Sequence, residues 1–290
     1  MNWLLDGIVD AAIDTAKLLP FLFITYLVME WLERKTQEKQ ISVLSKVGRL
    51  GPLFGGIVGM VPQCGFSAAA ASLYAGGLLT IGTLISVFFS TSDEMLPLLI
   101  SSQTNMNTIL KIVFTKAAIG IVTGIAIDFF LRFTKYKYKT QKRIHDLCEA
   151  EHCHCEDEED SVFLSALIHT IHIALFVFII SLVLGIIVEN VGEAYITVFL
   201  SRRKIIGVFL TSLIGLIPNC GSSVAITQLY LDGMITPGQM MSGLLVSAGV
   251  GLLVLFRTNR HPKENIKIVI MLYVLGAAWG LLFELLHIAF

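Results

Sequence analysis

A short polar break occurs twice within long apolar stretches of this chain, and it restricts the fold more than any other feature. The first copy reads VPQCGFSAAAASLY at 61–74, and the second reads IPNCGSSVAITQLY at 217–230. Proline lacks a backbone N–H and glycine favours irregular backbone, so Pro-Gln/Asn-Cys-Gly should interrupt a helix. In a bilayer, interrupted backbone is tolerated only where protein buries it or where it lines a cavity. Paired interruptions in two halves of a chain are typical of a transporter's binding site.

Composition predicts an all-α polytopic membrane protein in contact with the lipid bilayer. The 290 residues are 55% hydrophobic and 15% charged, with mean hydropathy +0.76. Soluble domains carry about 25% charged residues, and apolar stretches of roughly 20 residues are long enough to span a membrane. The N-terminus lacks a basic region and does not resemble a cleaved signal peptide. The five cysteines, three of them within eight residues, do not resemble a disulfide framework, and no nucleic-acid partner is expected.

The two halves of the chain align without a gap when residue numbers are shifted by 156, which pairs Gly51 with Gly207. Comparing 51–98 with 207–254 gives 14 identical positions out of 48. Identity in Pro, Cys, Gly and Tyr favours duplication over chance apolar similarity. We therefore expect a first transmembrane repeat at 1–131, a linker at 132–160 and a second transmembrane repeat at 161–290.

Each repeat should contain three spanning helices and one helix-break hairpin. The two arms beside each break have about 10 residues each, half of the roughly 20 needed to cross. A hairpin that enters and returns leaves an odd number of crossings, so the two repeats should be inverted. The expected spans are 12–33, 81–100 and 108–131 in the first repeat, and 165–189, 237–256 and 266–289 in the second.

The positions of Lys and Arg predict the orientation. Segments 34–49, 132–143 and 257–267 hold 15 of the 21 basic residues, and the hairpin model brings all three to one side. Basic loops face the cytoplasm. This predicts a multi-pass cell-membrane protein with a cytoplasmic linker and both termini outside. Short loops are compatible with a homodimer, although no residue pattern marks an interface.

The linker carries a second candidate metal site. Its sequence RFTKYKYKTQKRIHDLCEAEHCHCEDEED begins basic and ends acidic. Thiolate, imidazole and carboxylate groups this close together can chelate zinc or a softer cation, although the spacing matches no standard zinc module. The alternative is a solvated, flexible linker. The candidate ligands are His152, Cys153, His154 and Cys155.

Each break should offer unpaired backbone groups at the centre of the bilayer. A helix that ends there leaves carbonyl oxygens, and one that begins there leaves N–H groups with partial positive charge. We expect the second arm to begin just after Cys64-Gly65 or Cys220-Gly221. Inversion would bring the two breaks together, so the cysteines could ligate a soft metalloid. Alternatively, each Cys is a small buried hydrophobe.

The helix that follows the first break carries two carboxylates, Asp93 and Glu94, expected about two-thirds along a span. A carboxylate at that depth is costly and usually functional. Carboxylates beside hydroxyls favour a hard divalent cation, or a proton exchanged against cargo. Alternatively, one carboxylate pairs with Lys116 or Lys111. The second half lacks these carboxylates, because its corresponding residues are Gly249 and Val250.

The segments PQCGFSAAAASLY, GTLISVFFSTSDEMLPLL and PNCGSSVAITQLY resemble the bacterial and archaeal arsenic efflux and heavy-metal exporter permeases, some of which are described as manganese transporters. The resemblance covers nearly the whole chain. It implies efflux of a metal or metalloid through an inverted-repeat fold. The motif positions carried over are Pro62, Gln63, Cys64, Gly65, Ser67, Ser92, Asp93, Glu94, Pro218, Asn219, Cys220, Gly221 and Ser222. Of these, Cys64, Asp93, Glu94 and Cys220 are the candidate metal ligands.

These features predict a secondary transporter, and not an enzyme, that exports a metal ion or metalloid by alternating access. Carboxylates and amides favour a divalent cation such as manganese, whereas paired cysteines favour arsenite. The chain has no phosphate-binding loop, so an ion gradient should supply the energy, and no cofactor is expected beyond the transported ion. The alternative is a proton-coupled permease for an inorganic anion or small molecule.

Overall fold

The structure is a computed structural model that describes residues 40–133 and 204–290, apart from Gln63, Asp93, Glu94 and Ala289. It also describes isolated helical positions between 12 and 27 and between 163 and 179. The backbone alone is described at 40–49, Cys64, 132–133 and Cys220. The linker candidates His152, Cys153, His154 and Cys155 therefore lie outside the described residues.

The described part of the chain is helical. Four segments are long and apolar enough to cross a membrane: 81–101, 106–131, 237–258 and 262–285. This agrees with the predicted polytopic membrane protein. The helices of the continuous segments are α1 (Gln40–Gly59), α2 (Cys64–Ala75), α3 (Ile81–Ser90), α4 (Met95–Ser101), α5 (Met106–Phe133), α6 (Lys204–Gly215), α7 (Cys220–Leu231), α8 (Pro237–Val246), α9 (Gly251–Thr258) and α10 (Pro262–Leu285).

Two helices, α3 and α8, form the centre of the core. All residues of α3 are buried, as are all residues of α8 after Pro237. Helix α3 packs between α1 and α5, and α8 packs in the same way between α6 and α10. Helices α5 and α10 leave apolar side chains such as Phe114, Val122 and Ile270 exposed. An apolar outer face is what a bilayer requires, since lipid replaces water there.

Corresponding hydrogen bonds, 156 residues apart, occur in two helix triplets. One triplet is α1, α3 and α5, and the other is α6, α8 and α10. Ser86 Oγ donates to the Pro52 carbonyl at 2.6 Å, and Ser242 Oγ donates to the Val208 carbonyl at 2.6 Å. Close backbone approach accompanies these bonds, because the glycines of α1, α5, α6 and α10 face α3 or α8 without an intervening side chain.

A carboxylate on the last helix of each triplet holds the start of the central helix. Thr80 Oγ1 donates to Asp128 at 2.7 Å, and Thr236 Oγ1 donates to Glu284 at 2.6 Å. Thr80 and Thr236 are also the N-cap residues of α3 and α8, where a hydroxyl satisfies a backbone N–H that lacks a helical partner. Asp128 and Glu284 therefore have a structural partner in the fold.

The spans predicted after the motif, at 81–100 and 237–256, match two of the membrane-spanning segments, 81–101 and 237–258, but each is divided into two helices, which was not predicted. Helix α3 ends at Ser90 and α4 begins at Met95, while α8 ends at Val246 and α9 begins at Gly251. The Ser90 and Thr91 hydroxyls bond carbonyls of the preceding turn, which offers the backbone an alternative to further helix. In the second half, Gly249 has a φ of +51°, which ends regular helix.

The bounds of the motif arms also differ from the expected ones. The second arms begin at Cys64 and Cys220 themselves, not after the following glycine. The Asn219 side chain caps α7 by accepting from the Gly221 N–H at 3.2 Å, so the helix begins at the next residue, Cys220. The first arm is longer than predicted, because α1 begins at Gln40, inside the segment expected to be a basic loop.

Candidate transport site

The two interruptions that follow the motif meet at one pocket in the core. Its lining comes from both halves of the chain, and its empty volume is about 250 Å³, counting open space at its mouth. The first interruption contributes Thr91 and Ser92, and the second contributes Ser247 and Gly249. The remaining lining residues are Met95, Lys116, Ser223 and Leu244.

Hydroxyl groups dominate the polar surface of this pocket. Ser92, Thr91, Ser247 and Ser223 are all less than a tenth exposed. Buried hydroxyls cost free energy unless they are hydrogen-bonded, so their concentration here needs a structural or functional reason. Part of the reason is structural, because Ser92 Oγ donates to the Ser90 carbonyl at 3.1 Å.

The carbonyl end of α3 is held from two sides. Its own side chains bond the last turn: Thr91 Oγ1 donates to the Val87 carbonyl at 2.7 Å, and Ser90 Oγ donates to the Ser86 carbonyl at 2.7 Å. The ammonium of Lys116 on α5 donates to the Thr91 carbonyl. Lys116 is 1% exposed, so a cation from another helix lies at the end of α3 that carries partial negative charge.

The two motif helices bring their first turns to the opposite half's interruption. Helix α2 packs on α9, and a β-carbon placed on Gly251 would lie 2.9 Å from Ser67 Cβ. Helix α7 packs on α4, and its Ser223 lines the pocket beside Met95. Each motif arm therefore extends the polar surface at the break contributed by the other half.

Within the second half, the motif also contacts its own central helix. The hydroxyls of Ser222 and Ser247 lie 3.5 Å apart, and Ser222 Oγ donates to the Asn219 carbonyl at 2.8 Å. This contact joins the Pro-Asn-Cys-Gly motif to the second interruption.

Comparison with known proteins identifies the family. The model of the family described as "Putative, 10TM heavy-metal exporter" matches residues 1–193, about two thirds of the chain. The chain belongs to this heavy-metal exporter family. Comparison with curated proteins found no match, and comparison with solved structures found none. The resemblance inferred from the motifs is thereby confirmed at the level of the family.

Several residues predicted for the exporter's site lie at or next to the pocket. Ser92 lines it directly, and Ser222 reaches it through Ser247. Ser67 is fully buried against Gly251 at the start of α9. Gly65 is buried, whereas Asn219 is half-buried and Gly221 is exposed. Gln63, Asp93, Glu94 and the side chains of Cys64 and Cys220 lie outside the described residues.

The exporter's pocket also contains residues that were not among the predicted ligands. The sequence offers Lys116 only as a partner for a carboxylate, and it does not single out Ser247 as a ligand. Their sequence signals are a cation within an apolar helix and a Ser-Ala-Gly run within an apolar span. Both signals identify unusual positions but not their partners, since Lys116 and Thr91 are 25 residues apart in sequence.

Among the described residues, no group of three or more His, Cys, Asp and Glu side chains is close enough to hold a metal ion. The four candidate metal ligands of the sequence are outside that comparison. What the described residues of this exporter contribute to the pocket are hydroxyl and carbonyl oxygens and one ammonium group.

Proposed function

We propose that this protein exports a metal ion or metalloid as a secondary transporter, with a midplane site between two inverted repeats that opens alternately to each side. The observation that carries this proposal is the pocket formed jointly by the two interruptions. Irregular backbone at membrane depth is tolerated where it is buried in protein or lines a cavity. In transporters, such broken helices supply the ligands for substrate and coupling ions.

Contacts along α1 and α3 support a hairpin in the first repeat. A β-carbon on Gly51 would overlap Thr83, and one on Gly59 would overlap Ser90, so the two helices run in the same direction. Helix α2 is connected to the start of α3 by the short turn at 76–79. After α1 has approached the interruption, α2 must therefore return to the end from which α1 came.

Contacts between the halves support the inversion. Ser67 near the start of α2 lies beside Gly251 at the start of α9, and Tyr74 near the end of α2 bonds Glu264 just after α9. Helices α2 and α9 therefore run in the same direction. Because α2 runs towards the start of α3, and α9 continues from α8, helices α3 and α8 approach the interruptions from opposite ends.

The same directions bring parts of three described helices to one end of the molecule. The start of α1, the end of α5 and the connection between α9 and α10 all belong to the end at which α3 begins. They correspond to the Lys- and Arg-rich segments 34–49, 132–143 and 257–267. This agreement supports a cytoplasmic linker with both termini outside.

The oxygen-bearing residues at the first interruption support a divalent cation such as manganese as the first cargo. Ser92 and the Thr91 carbonyl are oxygen donors, and the carboxylates of Asp93 and Glu94 follow directly in sequence. Such oxygen-rich sets bind hard cations. Arsenite remains the second cargo, and it would require Cys64 and Cys220 to supply thiolates. The buried Lys116 is the one observation that favours the alternative of an anion permease.

Transport by the purified full-length protein in proteoliposomes tests the proposal. We expect manganese to cross when a pH gradient is imposed, and to compete with zinc for entry into the same site. Arsenite and oxyanions such as phosphate would be measured in parallel vesicles. Oxyanion flux that no divalent cation inhibits would favour the anion permease, and no flux of any cargo would exclude transport.

We further propose that the linker residues His152, Cys153, His154 and Cys155 bind metal at the cytoplasmic side and raise its local concentration. Replacing all four with serine should remove a binding event without changing flux at saturating cargo. Unchanged metal stoichiometry in this variant would exclude the linker site.

A further inference from the structure

Lys116 is an unusual residue for the interior of a membrane protein. It lies on α5, is 1% exposed, and lines the pocket formed by the two interruptions. An ammonium group in such a position is costly unless it is well solvated by protein groups. Cations within spanning segments therefore usually mark the path of an ion or substrate.

One partner of Lys116 is a backbone carbonyl oxygen, a group that can also ligate a metal cation. The ammonium donates to the Thr91 carbonyl, the C-cap of α3, where the helix leaves carbonyl oxygens without a helical N–H. Neighbouring carbonyls at this end are bonded by hydroxyls of α3 itself, as Val87 is by Thr91. Lys116 thus reaches from a second helix to the carbonyl that faces the pocket.

The second half of the chain has no equivalent charge. The residue that corresponds to Lys116 after the shift of 156 is Leu272, which is fully buried. The two interruptions therefore differ in two ways: one has a lysine opposite it and is followed by Asp93-Glu94, and the other has neither. A lysine needed only for packing would not have to accompany the carboxylates.

We propose that Lys116 is a tethered cation that occupies the carbonyl end of α3 and competes with the metal cargo for it. The inference rests on the proposed export of a metal cation. The ammonium takes the oxygen that a metal would use, and it must withdraw from Thr91 before the cargo binds. Its withdrawal also changes the contact between α3 and α5, two helices that pack closely along their length.

The positive charge of Lys116 determines how its replacement should change the affinity for a divalent cation. Two positive charges within one small buried pocket repel each other strongly, because the effective dielectric constant there is far below that of water. Removing the charge should therefore strengthen binding of a divalent cation by about tenfold or more. Arsenous acid is uncharged near neutral pH, so its binding should change little.

Manganese binding to the detergent-solubilised full-length protein tests this role, with free Mn²⁺ measured by electron paramagnetic resonance. Lys116→Gln keeps a donor for the Thr91 carbonyl but removes the charge, and Lys116→Arg keeps the charge. Leu272→Met at the corresponding position controls for changes in core packing. We expect tighter Mn²⁺ binding in Lys116→Gln, and binding equal to that of the unmodified protein in the other two variants.

The outcomes separate this inference from the proposed function. Equal Mn²⁺ affinity in Lys116→Gln and the unmodified protein would overturn the role of Lys116 alone. Weaker binding in Lys116→Gln would also overturn it, and would identify the lysine as a structural support of the site. No Mn²⁺ or Zn²⁺ binding in any variant would overturn both proposals. Should Lys116→Gln fail to fold, tighter binding in Lys116→Met is the required result, and unchanged binding in it overturns the inference.

Discussion

The hydroxyl of Tyr74 donates a 2.6 Å hydrogen bond to the Glu264 carboxylate, and both side chains are buried. The bond joins the end of α2 in the first half to the start of α10 in the second, 190 residues apart. It therefore fastens helix α2 of the first half to the second half, at the end where α3 begins. The second half cannot form the same bond, because the residue that corresponds to Glu264 is Thr108.

Replacing Tyr74 with phenylalanine should lower the free energy of unfolding by about 1–3 kcal/mol, because a buried carboxylate loses a donor. Tyr230→Phe is the matched control, since Tyr230 occupies the corresponding position and the residue that corresponds to Glu264 is Thr108. Its effect should be smaller. Denaturant titration of the purified protein in detergent measures both, and an equal loss in the two variants would contradict the assigned bond.

Asp128 and Glu284 hold the starts of the two central helices, but their environments differ. Asp128 accepts from the Gly82 N–H at 2.9 Å as well as from Thr80, whereas Glu284 lies 3.7 Å from the exposed Lys204 ammonium. Asp128→Asn should therefore cost more stability than Glu284→Gln, about 1–3 kcal/mol against less than about 1 kcal/mol.

Measuring both the free energy of unfolding and the transport rate of Asp128→Asn and Glu284→Gln tests this prediction. Both variants should retain normal flux for each correctly folded molecule, because these carboxylates are engaged at helix starts. Reduced flux per folded molecule, without a loss of stability, would instead assign Asp128 or Glu284 to a proton route.

Close packing of α3 against α5 depends on Gly124. A β-carbon there would overlap the Gly82 carbonyl oxygen and lie 2.9 Å from Pro52 Cβ. Gly124→Ala should destabilise the protein by about 1–3 kcal/mol or prevent folding, as overpacking does. Gly221→Ala serves as the control, since its β-carbon would lie 3.9 Å from the nearest atom. Equal yields of folded protein from the two variants would contradict the close approach.

The identity of the cargo can be decided with two substitutions. If Asp93 is a metal ligand, Asp93→Asn should reduce manganese flux by roughly 10–100-fold or more. Loss of a residue that only orients a metal ligand already has an effect of that size. If the cysteines are ligands, Cys64→Ser should abolish arsenite flux and leave manganese flux intact. Asp232→Asn, an exposed carboxylate bonded to Gln228, is the control for loss of charge. Normal manganese flux in Asp93→Asn would exclude this carboxylate from the site.

The motif and the repeat were visible in the sequence because they depend on residue types whose backbone effect is local. Proline removes the N–H that would bond the fourth preceding carbonyl, and the helices before Pro62 and Pro218 end at Gly59 and Gly215. The family also followed from these segments. The inverted relation of the repeats and ligation by Asp93 stay predictions.

The interruptions that follow Ser90 and Val246 could not be predicted from residue type alone. Ser90, Thr91 and Ser92 are compatible with a helix in lipid, and in the structure they end one by bonding carbonyls of the preceding turn. Whether a hydroxyl does this depends on the partners around it. Here the Thr91 carbonyl at the end of α3 is bonded by the ammonium of Lys116, which comes from another helix.

The sequence by itself determined that the chain is apolar enough to span a membrane, that it contains a duplicated helix break, and that it belongs among heavy-metal exporters. These properties follow from hydropathy, from proline and glycine chemistry, and from residue identity along the chain. Only the tertiary structure decided that the spans 81–101 and 237–258 are each divided into two helices, and that Thr91, Lys116, Ser223 and Ser247 line one pocket. The physical reason is that hydrogen bonds between distant helices, and not local preference, determine which buried polar groups share a site.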